Sequence, residues 1–346
     1  MTTRHIKYKR LNISKPEIRL LELAPAQSLD EPVVCRLITV PLNDDLEFLA
    51  LSSLYGDHSE TEKVFVDGVP IVLTAHLAQA LRHMRAVFFP TLLNSARSGP
   101  SQRPQKRGPR WLLHLLRHVS SILPDPELEA RTPLRLWLDM LCVNPADERE
   151  RSRQVLARIY GSAKMVVGWL GLKSEFSDDG LKVLRAIDEA MPRNWGEPGD
   201  KELHPENYSP QHRWAKKVQH FWMPTEEGVN AFTLPHWVGA NDFMDRPYFQ
   251  RRWILEEIAL ARFPAFLIGD DIVSWKQVLR SNRLQEEFRS YPSDLFPPCL
   301  RAQIVDVPLG TVHALCDEFA RRQRMEMMES RNSTQSSSST RSTSTK

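Results

Sequence analysis

Cysteine is scarce in this sequence. Cys35, Cys142, Cys299 and Cys316 are spread over 346 residues and none forms a CxxC pair. That spacing excludes zinc ribbons and thioredoxin-like redox motifs. The low density excludes the disulfide framework of a small secreted domain. No uninterrupted apolar run approaches the ~18 residues that a membrane span requires. The basic first ten residues are followed by no apolar signal core, so a cytoplasmic protein without a membrane span is expected. GxxxxGK[ST], GxGxxG, GxSxG and HExxH are all missing, so the phosphate-cradle, hydrolase-elbow and zincin readings lack their signatures. The 11 histidines show no metal-ligand spacing, and no metal or cofactor is expected. A net charge of +3 is too small to argue for a nucleic-acid partner.

What is present is an ordinary globular composition, 41% hydrophobic and 26% charged, long enough for one large domain or two. Residues 1–45 read as a leader with short strands at Glu17–Leu23 and Val33–Val40. Leu46–Ser53 reads as a short buried strand. Lys63–Leu73 reads as a hairpin, because Asp67-Gly68 tolerates the positive φ of a tight turn. Thr74 is placed to cap a helix with Leu77, Ala80, Leu81 and Met84 on one face. A strand over Leu134–Val143 and a helix over Asp147–Tyr160 follow. Then come a strand over Met165–Leu170 and a helix over Asp178–Met191. Such alternation predicts βαβ units, with 136–143 and 165–170 as neighbouring parallel strands. Further along, a helix over Tyr248–Ala261, a strand over Ala265–Ile268 and helices over Ser274–Phe288 and Leu309–Met328 are predicted.

Two stretches interrupt this pattern. Residues 94–131 form an insertion, with six Lys/Arg and no acid between Arg97 and Arg117. An anion- or nucleic-acid-binding patch competes there with a solvated loop, and the lack of interleaved aromatics favours the loop. Residues 192–240 show little periodicity and read as a second insertion. From 330 to 346, 12 of 17 residues are Ser or Thr, which predicts a disordered tail. The domain map is therefore a leader over 1–45, an α/β domain over 46–290, a helical extension over 291–329 and the tail. Residues 94–110 and 196–212, like the tail, are expected to be mobile.

Three segments, 48–56, 136–171 and 246–258, together resemble the motifs of the fungal heterokaryon incompatibility (HET) domain family. Phe48-Leu49-Ala50-Leu51-Ser52-Ser53-Leu54-Tyr55-Gly56 is similar to the first, with Ser53 and Tyr55 where that motif carries Tyr and Trp. The second is carried by Leu136–Asn144, then Asp147, Glu150-Arg151, Gln154-Val155, Ile159-Tyr160 and Trp169-Leu170-Gly171, with Pro145 in place of a glutamine. The third is carried by Arg246-Pro247-Tyr248-Phe249 and Arg252–Ile258, with Glu256 in place of a glutamine. The resemblance covers residues 46–275. It implies a mainly parallel α/β sheet with a TIR-like, flavodoxin-like core, and a role in non-self recognition, innate immunity and programmed cell death. By analogy with TIR domains it also implies NAD as a substrate, although fold alone does not establish function.

In open α/β sheets, ligands bind beyond the carboxyl ends of the strands. The candidate ligand contacts at those ends are Ser52, Tyr55, Gly56, Asn144 and Asp147, joined by Arg252 of the third segment. The candidate catalytic carboxylates are Glu150, Glu257 and Asp139. Each has a plainer reading. Asp139, inside an apolar run, is either paired structurally or part of a site. Asp147-x-x-Glu150 resembles a capping box. Glu257 falls near the centre of the helical face Phe249, Trp253, Ile254, Ile258 and Ala261, so it is either paired, with Arg251, Arg252 or an arginine from another segment as candidates, or functional. Three functional classes stay open: an effector that cleaves NAD, a non-enzymatic module acting by self-association or partner recruitment, and, least favoured, a nucleic-acid binder using residues 97–117.

Overall fold

In the computed structural model, the described residues are 6–12, 15–26, 28–88, 134–147, 150, 152–197, 199–223, 230–251, 254–289, 321 and 325. The basic segment 97–117 and the Ser/Thr tail lie outside them. So does the predicted helix over 309–328, apart from Arg321 and Met325, which are helical.

The strands are β1 (Glu17–Leu23), β2 (Val34–Pro41), β3 (Leu49–Ser52), β4 (Thr61–Val66), β5 (Val69–Thr74), β6 (Leu134–Trp137), β7 (Met165–Trp169), β8 (Pro264–Ile268) and β9 (Asp271–Ser274). The helices are α1 (Ala75–Phe88), α2 (Asp139–Cys142), α3 (Arg153–Ser162), α4 (Ser177–Ala190), α5 (Asp200–Leu203), α6 (Arg213–Val218), α7 (Pro235–Met244), α8 (Ile254–Ala259) and α9 (Trp275–Arg289). Contacts divide the chain into two compact units. One is Met1–Lys173 with Glu256–Trp275, the other Ser174–Leu255 with Lys276–Lys346.

The first unit holds a nine-stranded sheet in the order β5-β4-β2-β1-β6-β3-β7-β8-β9. It is mixed, not mainly parallel. β6, β3, β7 and β8 run parallel to one another. β1 joins β6, β2 joins β1, β5 joins β4 and β9 joins β8, all antiparallel. β2 and β4 are parallel. The two short strands expected in residues 1–45 are present as β1 and β2, and both belong to the main sheet. β6 and β7 are parallel but not neighbours, because β3 lies between them. All four β3 residues are buried, and a strand apolar on both faces is stable only in mid-sheet.

Local chemistry sets the boundaries. The turn has φ of 51° at Asp67 and 74° at Gly68, which closes the β4–β5 hairpin as a primed turn. Thr74 Oγ1 accepts from Leu77 N–H at 3.4 Å and caps α1. The predicted strand over 134–143 stops at Trp137. There the N–H groups of Leu141 and Cys142 both turn back to the Leu138 carbonyl, at 3.1 and 2.8 Å. Asp139 Oδ1 accepts its neighbour's N–H, Met140, at 2.7 Å, a local bond that favours a turn over a ladder. The strand alternation expected to pass through Asp139 therefore does not exist. The predicted helix over 248–261 is also broken, into a 3-10 turn at Pro247–Gln250, an extended Arg251 and then α8.

Side-chain alternation puts Trp137 and Trp169 on opposite faces of the sheet, since both strands are registered through Ala50. On one face Tyr160 of α3 meets the Trp137 ring edge-on at 5.1 Å. On the other His83 of α1 stacks on Trp169, also at 5.1 Å, with the rings inclined by 23°.

The second unit has its own aromatic core, in which Trp195, Tyr208, Trp214, Trp222, Phe232, Trp237 and Phe288 are buried. Most come from 192–240, the stretch with no readable period. Helices of four to ten residues, with at most one or two aromatics each, are too short to show one. The expectation of mobility over 196–212 meets ordered turns there, with Asp200 and Tyr208 buried. α4 and α7 cross at Gly180 and Gly239. A Cβ on Gly239 would lie 1.9 Å from the Phe176 carbonyl oxygen.

Candidate functional site at the carboxyl edge of the parallel strands

In chain order the parallel strands β3, β6, β7 and β8 lie second-first-third-fourth across the sheet. The chain leaves β3 toward β6 on one side, then crosses back over β3 to β7. Connections diverge at that reversal, so the loops after β3 and β7 frame the crevice where open α/β sheets bind ligands.

Ser52 is the last residue of β3. It is buried, and its register partner is Gly168, which contributes no side chain there. The Ser52 hydroxyl donates to Glu257 Oε2 in α8. The first and third segments singled out in the sequence thus meet through a hydrogen bond across 205 residues. Glu257 is half-buried beside fully buried Ile258. Ser52 is thus a hydrogen-bonding partner of Glu257 that the sequence reading did not name. Arg252 lies outside the described residues.

After β3 the chain passes close over α1. The Tyr55 carbonyl accepts from the Thr74 hydroxyl, and its side chain is exposed. Gly56 has a φ of 80°, and a Cβ there would sit 2.5 Å from His76 Cβ. Only glycine fits both constraints.

Glu150 belongs to a different arrangement. Arg19 of β1 grips it with two bonds, Nη1 to Oε2 at 2.7 Å and Nη2 to Oε1 at 3.1 Å. The same guanidinium donates to the carbonyls of Cys142 at 3.2 Å and Lys9 at 2.5 Å, and lies 5.1 Å from the Tyr8 ring centre. Burial pushes the Tyr8 hydroxyl up to about 12. Asn144 N–H donates to Glu150 Oε2 at 2.8 Å. Asn144 Oδ1 accepts from Ala146 N–H at 3.1 Å, and its carbonyl accepts from Asp147 N–H, also at 3.1 Å. The capping-box reading fails. α3 begins at Arg153, and Ser152 caps it by accepting from Val155 N–H at 3.4 Å. Glu150 therefore fastens the loop after β6 to β1. Asn144 and Asp147 shape that loop, and Asp139 opens the short helix at its start.

Sequence reading missed Arg19, which looked like one charge in a short strand. It also missed His83 and Asp270, whose pairing across 187 residues leaves no local signal. His83 Nδ1 meets Asp270 Oδ1 at 2.7 Å, in the turn between β8 and β9. His76 lies 6.0 Å from Trp169 between ring centres, and burial lowers its pKa. The loop after β7 is tied to the same turn, by Gly269 N–H to the Gly171 carbonyl at 3.0 Å and by Lys173 to Asp271 at 2.5 Å. Among the described residues no group of three or more His, Cys, Asp or Glu could hold a metal ion. Nor is any of their helices long and apolar enough to cross a membrane.

Comparison with known proteins bears on the same elements. The family model described as Heterokaryon incompatibility protein (HET) matches residues 114–257, from before β6 to Glu257 itself. That stretch of the chain is similar to a HET domain. It is also similar to Heterokaryon incompatibility protein 6, OR allele, of Neurospora crassa, with 27% identity over 288 residues. That alignment covers 78% of this chain and 36% of the relative, so the chain spans about a third of that protein's length. No solved structure matches. The HET match takes in the second and third motif segments, while β1 to β5, with Arg19 and Ser52, lie outside it.

Proposed function

We propose that this chain acts in fungal non-self recognition as a cell-death effector, and that its chemistry is hydrolysis of the nicotinamide–ribose bond of NAD. The HET match and the Neurospora crassa relative support the incompatibility role. One observation carries the chemistry: a carboxylate, Glu257, is fixed by the Ser52 hydroxyl where the parallel strands reverse their winding. The second-first-third-fourth strand order is also that of flavodoxin-like sheets, which supports the TIR-like reading of this block.

Hydrolysis breaks the bond between ribose C1′ and the pyridinium nitrogen, and the bonding pair leaves with neutral nicotinamide. Positive charge then develops on the ribose, and a water oxygen bonds to C1′ and loses a proton. A carboxylate held beside C1′ stabilises that charge without reorganising during the reaction. Ser52 keeps the carboxylate oriented by donating to Oε2.

The test is release of nicotinamide from NAD by the purified chain. The wild type is expected to turn NAD over, and Glu257→Gln to lose at least about a hundredfold in rate with its melting temperature unchanged. Ser52→Ala should fall between the two. No release by the wild type would leave the chain as a non-enzymatic module acting by self-association or recruitment.

A further inference from the structure

The second unit carries one helix whose exposed cations have no acids beside them. α6 opens with Arg213 and packs Trp214, Ala215 and Val218 into the aromatic core. Helical turns run on past Val218, because Met223 N–H donates to the Gln219 carbonyl at 2.8 Å. Positions 213, 216, 217, 220 and 223 then recur at the spacing of a single helical face. They are Arg213, Lys216, Lys217, His220 and Met223, and all five are exposed.

This face differs from the rest of the unit's surface. From Asn207 to Met223 the sequence holds no Asp or Glu, and Arg213, Lys216 and Lys217 form no ion pair among the described residues. Elsewhere in the unit, helix-borne cations are matched by acids. Lys182 meets Asp179 at 2.7 Å, Lys201 meets Glu287 at 2.6 Å, and Arg246 and Arg283 meet Asp242 and Glu286, both at 2.7 Å. The helix dipole favours cations in a last turn, which accounts for Lys216 and Lys217 but not for Arg213 in the first. Like charges four residues apart, as Arg213 and Lys217 are, work against a helix. An anionic partner covering the face relieves that repulsion.

The partner's chemistry follows from how the stripe ends. Three Lys/Arg and a histidine occupy about 10 Å of helix, and Met223 beyond them is 45% exposed. Charge therefore passes into an apolar tip on one face. Anionic headgroups over acyl chains match that order, with cations at the headgroup layer and an aliphatic side chain at its inner boundary. A nucleic-acid strand calls for exposed rings on which bases stack, and both tryptophans of this stretch, Trp214 and Trp222, face the core.

We propose that this face of α6 docks on an anionic membrane surface, with Arg213, Lys216 and Lys217 on lipid headgroups and Met223 at the acyl boundary. Such a contact lies on the bilayer and needs no spanning helix. It holds whether or not the chain hydrolyses NAD.

The experiment is co-sedimentation of the full chain with phosphatidylcholine vesicles, with and without phosphatidylserine. The wild type is expected to bind the phosphatidylserine vesicles, to stay in solution with phosphatidylcholine alone, and to detach as salt is raised. Each Lys/Arg near such a surface contributes about fivefold to partitioning. The triple variant Arg213→Gln/Lys216→Gln/Lys217→Gln should therefore bind roughly a hundredfold more weakly, with its melting temperature unchanged. Met223→Ser should weaken binding to the same vesicles. A control with the same change in net charge, Lys182→Gln/Lys201→Gln/Arg283→Gln, should bind as the wild type does. Failure of the wild type to bind phosphatidylserine vesicles, or an equal loss in the control, overturns the proposal. So does a single-stranded oligonucleotide that binds as tightly as the vesicles with no dependence on Met223, since the face is then a nucleic-acid site.

Discussion

At the residue scale, two glutamates that looked alike in sequence separate by their partners. Glu150 is held by Arg19, whose side chain is 1% exposed, and by the Asn144 N–H. Removing one partner of such a buried pair costs on the order of 3–5 kcal/mol. Arg19→Ala should therefore lower the urea midpoint sharply, and an unchanged midpoint would show that the clamp contributes little. Glu257 accepts from the Ser52 hydroxyl and is half-buried, and the proposed function assigns it the ligand-facing role. The cysteines give a second prediction. Burial pushes the thiols of Cys35 and Cys142 up to about 12, so both stay protonated and slow to alkylate in the folded chain. The unfolded chain ionises first as pH rises toward that value, so these groups weaken the fold on the alkaline side only. Iodoacetamide at mildly alkaline pH, followed by peptide mapping, should leave both unmodified until denaturant is added.

At the element scale, legibility followed the range of the causes. β1 and the Asp67-Gly68 hairpin were readable because alternation and turn chemistry are local. The C-terminal boundary of β6 was not, because a run apolar on both faces conceals the point where Asp139 turns the chain. The helical face drawn from Phe249 failed for a related reason, since an extended Arg251 interrupts the helix before α8. Glu257 still found a partner, because its half of the pattern lies within α8. β9 was missed altogether, four residues next to a helix start. In the second unit, α4 and α7 approach so closely that Gly180 and Gly239 touch backbone to backbone. Gly239→Ala cannot be absorbed by a flexible side chain, because the clashing atoms are backbone. It should part the two helices and lower the melting temperature by several degrees. A melt equal to the wild type would show that the crossing has slack.

At the scale of the whole molecule, the HET match begins at residue 114 while the sheet begins at Glu17. β1 joins β2 to β6 and supplies Arg19, so the N-terminal strands are part of the domain's architecture. A chain starting at residue 46 should lose cooperative unfolding by circular dichroism, and a sharp transition there would contradict the sheet order. In the sequence, the strand-end rule singled out Ser52 and the helical wheel of the third segment singled out Glu257. His83 and Asp270 came to light only through tertiary contact. The central claim is that Glu257 is the functional carboxylate and Glu150 the structural one. Its most direct test is viability of cells expressing Glu257→Gln, counted per unit of folded protein. The account predicts folded protein at wild-type levels with killing abolished. Killing that persists in proportion to folded protein would contradict it.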